Sequence, residues 1–219
     1  MPPTLTVDAV VFRLQDNDLE VLLVKRAKDP FKGEFALPGS YCSAGETSTE
    51  SFERTLKVKA GCDPKQLKLV EQLYTFDTVA RDPRGHAISI TYMGLGKDIA
   101  LQKKNATEDP DFYSLNNLPK LAFDHEIIIN YAHERLRSKL AYTNAVFAML
   151  STTFTLTELQ MAYETILGHK LDKRNFRKKI LSYDLLKETG EKLTAGAHRP
   201  AMLYMFKQRA LEVLVRSLD

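Results

Sequence analysis

Residues 39–62 read GSYCSAGETSTESFERTLKVKAGC, and no other stretch constrains the fold as tightly. Gly39 and Gly45 allow the backbone to turn, and Thr47 followed by Glu50 spells a capping box. Phe52 and Leu56, with Val58 as a further candidate, then supply apolar residues at helical spacing up to Gly61. The chain must therefore turn, start a helix, and stop it on a glycine. Such a helix has one apolar face and needs a neighbouring layer to bury it.

The surroundings offer that layer. Residues 5–12 and 20–25 are β-rich runs joined by the turn cluster Asp16-Asn17-Asp18. Residues 67–76 and 88–94 are two more strand candidates, separated by Arg81-Asp82-Pro83-Arg84-Gly85, where Pro and Gly enforce a tight loop. Ile128, Ala132 and Leu136 recur on one face of a long helix expected from Asp124 to Leu140. The first part of the chain thus reads as mixed α+β.

At 219 residues the chain can hold one large domain or two smaller ones. No apolar run approaches the ~20 residues that cross a bilayer, and Met1-Pro2-Pro3 leads into a strand pattern without a secretion signal. The expected compartment is the cytoplasm, with no membrane partner. Cys42 and Cys62 lack a CxxC spacing and are expected to pack rather than to form a disulfide or bind metal. Charge becomes informative once it is divided: residues 141–219 carry 12 Lys and Arg against 8 Asp and Glu, whereas the remainder carries 19 against 20. A polyanion is therefore expected at the C-terminal end. The character changes near Ala141 without a Pro/Gly-rich linker, so the expected division is 1–140 and 141–219, coupled through the helical region 139–150.

Two helices are legible in the second part. Thr155-Leu156-Thr157-Glu158 is a capping box opening a helix with Leu159, Tyr163, Ile166 and Leu167 on its apolar face, ended by Gly168. Asp172 caps the next helix, with Leu171 and Phe176 placed as a hydrophobic staple. This helix is expected to bury Phe176, Ile180 and Leu181 while Lys173, Arg174, Asn175, Arg177, Lys178 and Lys179 face outward. Two helices joined by a short turn, the second basic at its start, are the pattern of helix-turn-helix DNA recognition. Residues 188–193 and 199–206 then suggest a β-wing with Lys192, His198 and Arg199 near its tip. Arg and Asn at the start of such a helix can reach base edges, while the lysines and the wing arginine suit phosphates.

The turn-and-helix stretch followed by a basic winged helix resembles the bacterial Nudix-related transcriptional regulators. The similarity spans nearly the whole chain and includes Leu37-Pro38-Gly39, residues 77–85, Leu121-Ala122-Phe123-Asp124-His125 and residues 171–177. The Nudix box reads Gly, five residues, Glu, seven residues, then Arg-Glu-hydrophobic-any-Glu-Glu-any-Gly-hydrophobic. Glu46, Arg54, Leu56 and Gly61 match it, Ser40 replaces the first glycine, and the family's catalytic carboxylates fall on Thr55, Val58 and Lys59. Hydrolysis of a nucleoside diphosphate needs Mg²⁺ held by hard oxygen ligands. The resemblance therefore implies an α/β/α sandwich with its frame kept and its chemistry gone: no catalytic residue, no metal and no cofactor. It further implies a homodimeric repressor that senses ADP-ribose or a related metabolite, binds a double-stranded DNA operator, and controls NAD-biosynthesis genes. Some relatives look like regulators of sugar utilisation instead.

A diphosphate ligand would need cations in place of the metal, and Arg26, Arg54, Arg81 and Arg84 are the candidates. Phe123 could stack on an adenine, and Asp124 or His125 could bond a ribose. Alternatives stay open at four of these positions, and Arg81 and Arg84 could simply be surface residues of the turn. Arg54 could instead pair with Glu50 or brace the box, and His125 could be a structural residue at a helix N-terminus. Glu46 is expected to brace a loop. Two rival functions are an active ADP-ribose pyrophosphatase using carboxylates outside the box, such as Glu50, Glu53 and Asp77, and a winged helix that binds protein rather than DNA.

Overall fold

The computed structural model describes residues 2–194 and 200–214. Strands β1 (Thr4–Gln15) and β2 (Asp18–Lys25) form a hairpin whose register ends on Gln15 opposite Asp18. Its two turn residues, Asp16 and Asn17, have φ of 48° and 62°. This is the I′ geometry that matches strand twist and that Asp and Asn tolerate. β3 (Phe35–Ala36), β4 (Gly39–Tyr41), helix α1 (Ser48–Ala60), β5 (Leu69–Phe76), β6 (Ala87–Leu95), β7 (Asp109–Ser114) and helix α2 (His125–Leu140) follow. The sheet runs β3-β2-β1-β6-β5, with β4 also paired to β1 and β7 to β2. β1 and β6 are parallel, and the other pairs are antiparallel. The three short or polar strands β3, β4 and β7 lack the apolar alternation by which the others are legible.

Successive residues of β1 point to opposite faces. Val7, Ala9 and Val11 join Leu22 and Val24 of β2 and Phe52, Leu56 and Ala60 of α1 in one core, while Val10 and Phe12 are fully buried on the other face. On α2, Ile128 and Ala132 are fully buried, and Tyr131 packs on Tyr74 and Phe76 of β5. The predicted sandwich forms. α1 starts with the reciprocal Thr47 and Glu50 hydrogen bonds of a capping box and stops at Gly61, whose φ is 55°. A side chain at Gly61 would collide with the Gln102 carbonyl. Val58 is exposed, since it lies two residues past Leu56 and so on the opposite side of the helix.

The chain divides into two compact units, Met1–Arg135 and Leu136–Asp219, the break falling within α2. In the second unit a buried 3₁₀ segment, Ala145–Met149, leads to β8 (Phe154–Thr155), helices α3 (Leu156–Leu167) and α4 (Lys173–Ser182), and strands β9 (Leu186–Leu193) and β10 (Ala201–Phe206). The strands order β8-β10-β9, and β9 with β10 makes the antiparallel wing. Its expected tip residues His198 and Arg199 lie outside the described residues. α3 carries the predicted capping box and ends on Gly168 at φ 76°. α4 buries a narrower stripe than its sequence suggests: Ile180 is buried and Phe176 half-buried against Tyr163, whereas Leu181 is exposed. A ten-residue helix resting on one neighbour covers only the i, i+4 row. Among the described residues no helix is long and apolar enough to cross a membrane.

Candidate functional site

A cavity of about 290 Å³ opens in the first unit where the start of β1, the β4 turn, the loops after β2 and β5, the last turn of α1 and the N-terminus of α2 meet. Asp8 is the one acid in an otherwise apolar run of β1, and it lies buried in this cavity. It accepts from Ser89 Oγ at 2.6 Å and from Arg81 Nη2 at 3.3 Å. Arg81 in turn forks onto Asp124 with two 2.8 Å bonds. Gly39 is needed here because a Cβ would collide with the Asp8 carboxylate. Asp8 went unremarked in the sequence although a lone carboxylate in an apolar strand is a signal, since a buried charge must find a partner.

Arg81 therefore lines the cavity with its guanidinium already neutralised by two carboxylates. His125 is the first residue of α2, and its Nδ1 accepts the Leu37 backbone N–H at 2.8 Å. The ring proton consequently sits on Nε2, which lies 3.8 Å from Asp8 Oδ1. Burial lowers its pKa, opposed by Asp8 and Asp124, so the imidazole is neutral near pH 7. Of its two readings, the structural one at the helix N-terminus matches this geometry.

Arg26 and Arg84 converge on Phe123. Their guanidinium carbons lie 4.7 and 5.6 Å from its ring centroid, and Phe31 meets the same ring edge-on at 4.8 Å. Phe123 holds φ at 56°, an unusual backbone for an aromatic residue. Arg26 donates to the Pro30 and Lys28 carbonyls; burial lowers its pKa while Glu108 opposes the shift. Arg84 forks onto Asp82 but remains partly exposed.

Arg54, expected as a ligand contact, is not in the cavity wall. It forks onto Glu46 at 2.7 and 2.8 Å and donates to the Tyr41 carbonyl and Ser51 Oγ, so it braces the box loop. The Arg54 hydrogen bonds and the Ser43 N–H hold the Glu46 carboxyl down at about 2. The three degenerate box positions part company. Thr55 is fully buried and bonds Ser40 Oγ and the Ser51 carbonyl, and Val58 faces solvent. Only Lys59 lines the cavity, where its ammonium lies 2.8 Å from Glu108 Oε1. The sequence alone cast Lys59 as a loss, and its place in the cavity wall was missed. A hydroxyl, an alkyl group and an ammonium are not a Mg²⁺ donor set. Among the described residues no group of three His, Cys, Asp or Glu could hold a metal ion. Glu50, Glu53 and Asp77 lie outside the cavity wall, and Glu50 is engaged with Thr47.

In the second unit, α3 and α4 meet through a turn fastened by Glu164. Its carboxylate accepts from the Leu171 N–H, Gln160 Nε2 and Lys170 Nζ, which hold its pKa at about 2. Lys173, Arg174, Asn175, Lys178 and Lys179 of α4 and Lys192 of β9 are exposed. Arg177 differs: it is half-buried and its Nη2 reaches Thr157 Oγ1 on α3 at 3.3 Å. Asp172 caps α4 by accepting the Asn175 N–H at 2.8 Å, which leaves the Asn175 side chain outside the cap.

A NUDIX domain model matches residues 3–132, and an NrtR DNA-binding winged helix domain model matches residues 146–206. The chain belongs to the NrtR family. An ADPR responsive transcriptional repressor of Acinetobacter baylyi is 35% identical over 209 residues, covering 93% of this chain and 82% of its own. NrtR of Shewanella oneidensis, solved with a 27mer DNA, superposes with a TM-score of 0.78 at 35% identity and 93% coverage of both chains. Its NUDIX domain has also been solved with ADP ribose, at a TM-score of 0.58, 35% identity, and 62% and 90% coverage. An ADP-ribose pyrophosphatase of Methanocaldococcus jannaschii is 42% identical over 127 residues, covering 58% of this chain and 71% of its own. The NrtR architecture thus spans both units here, and its first unit is shared with hydrolases.

Proposed function

We propose that this chain is a ligand-responsive transcriptional repressor whose first unit, residues 1–140, binds ADP-ribose or a related nucleoside diphosphate without hydrolysing it. Residues 141–219 bind a double-stranded DNA operator as a homodimer, and NAD-metabolism genes are the targets that the family relationship favours. The observation that carries the reading is the cavity at the box: its frame, Glu46 with Arg54 and Gly61, is intact, while of the three positions that carry catalytic carboxylates in the hydrolases the one that enters the cavity is Lys59. Arg26, Arg84 and Phe123 are the effector contacts we assign, with Arg81 and His125 shaping the wall behind them. On α4, Lys173, Arg174 and Asn175 are assigned to base edges and nearby phosphates, Lys178, Lys179 and Lys192 to phosphates, and Arg177 to fixing α4 on α3.

Half-sites about one DNA turn apart require two winged helices at fixed spacing, so a ligand that shifts the protomers weakens docking. ADP-ribose is expected to weaken operator binding about 5–150-fold, and operator DNA to weaken ADP-ribose binding by the same factor. A gel-shift titration against the DNA upstream of the chain's own gene neighbourhood, with and without ADP-ribose, tests this. Chromatography of the same mixtures for AMP tests catalysis. Metal-dependent turnover on the order of 1 s⁻¹ or faster would make the chain a hydrolase. Equal operator affinity with and without effector would remove the coupling.

A further inference from the structure

We propose that Lys59 stands in for the metal ion, its ammonium meeting the effector's diphosphate so that binding needs no divalent cation. The proposal rests on the assignment of a nucleoside diphosphate to this cavity. Among the cations of the wall, Arg81 is neutralised by Asp124 and Asp8 and Arg84 by the Asp82 fork, Arg26 keeps its charge while donating to two backbone carbonyls, and Lys28 is exposed; Lys59 alone of them stands at a position where the hydrolases' box carries a carboxylate. Lys59 carries three N–H donors and gives one of them to a single carboxylate oxygen of Glu108, 2.8 Å away. The pair is half-sequestered, with side-chain exposures of 29% for Lys59 and 11% for Glu108, so its field is less screened than that of a surface pair.

Glu108 is presented to Lys59 by backbone rather than by chance. The Thr107 N–H donates to the Val58 carbonyl at 2.8 Å, and the Gln102 N–H to the Gly61 carbonyl at 2.8 Å, so the segment before β7 is laced to the last turn of α1. In the absence of ligand, Glu108 neutralises the ammonium and lowers the cost of holding it in the cavity. A diphosphate entering the cavity competes with Glu108 for the same protons. The site thus holds a covalently attached cation with its own displaceable anion, where a hydrolase would recruit Mg²⁺.

Calorimetric titration of the full chain with ADP-ribose, first in EDTA and then in excess MgCl₂, tests the role. The native chain is expected to bind equally in both buffers. Lys59→Met should bind about 10- to 100-fold more weakly in both, the effect of one charge-assisted bond. Lys59→Arg should retain most of the affinity, which separates charge from packing. Glu108→Gln should bind more tightly than native, since it removes the competing carboxylate. Undiminished affinity in Lys59→Met, or a native chain that binds only with Mg²⁺, would overturn the proposal. No binding by the native chain in either buffer would sink the effector assignment and this role with it.

Discussion

Arg81 and Arg84 stand three residues apart in one loop, yet the structure gives them opposite fates under mutation. Asp124→Ala removes both 2.8 Å bonds of the Arg81 fork and leaves that guanidinium, 5% exposed, with only the 3.3 Å contact to Asp8. Removing one partner of a buried pair costs about 3–5 kcal/mol, because the other charge is stranded. The surviving Asp8 contact argues for the lower end, about 3 kcal/mol. Arg84→Ala instead removes a pair whose arginine is 44% exposed, and such a pair contributes roughly 0–1 kcal/mol. The chain contains no tryptophan, so urea unfolding is best followed by far-UV circular dichroism, with hydrogen exchange read by mass spectrometry to keep the two units apart. The expected result is a large loss confined to peptides of residues 1–135 for Asp124→Ala and almost none for Arg84→Ala. Equal losses in the two variants would refute the view that burial sets the difference. A corollary concerns the sensing test: an Arg81 variant confounds ligand loss with unfolding, whereas Arg84→Ala does not.

Other outcomes are as definite. Arg174→Ala should cost about 1–3 kcal/mol at an operator where it pairs with a guanine, while Lys178→Ala should weaken binding to all sequences alike and reduce the salt slope by about 1; filter binding at several salt concentrations separates them. Glu46 and Glu164 are held at about 2, below the ordinary 4.5, so the stability they contribute is fully present above pH ~4.5 and is lost as pH falls through about 2. The urea midpoint should drop across that window, and Glu164→Gln should flatten the drop in peptides around residues 160–171. A thiol reagent at pH 8 should label half-buried Cys42 in the native chain but Cys62 only after unfolding, because burial removes access and pushes that thiol up to about 12. Native labelling of both would contradict the packing of α1 onto the sheet.

The helices were legible where a side chain or glycine punctuates them locally: Thr47, Thr155 and Asp172 at the starts, Gly61 and Gly168 at the ends. The strands of regular apolar pattern were legible for the same reason. β7, with Asp109, Pro110 and Asp111, carries no such pattern, and its strand state comes from pairing with β2 across a long sequence separation. The candidate cavity divides in the same way. Residue type announced Arg26, Arg84 and Phe123, but whether an arginine is free or spent depends on what faces it, and Asp8 and Glu108 lie 73 and 49 residues from their partners. No local spacing encodes such a pairing.

One hydroxyl pair limits what the box can accommodate. Thr55 has a single hydroxyl proton, and it goes to the Ser51 carbonyl at 2.7 Å; Ser40 Oγ, 2.5 Å away, must therefore be the donor in their shared bond. A glutamate at position 55 would place a carboxylate in a spot with no exposure to water and remove the hydroxyl that links Ser40 to the Ser51 carbonyl. Glutamates at 58 and 59 meet no such obstacle, since those positions are open to solvent or cavity. Of the three positions, 55 is therefore the one where a carboxylate requires Ser40 and Ser51 to rearrange first.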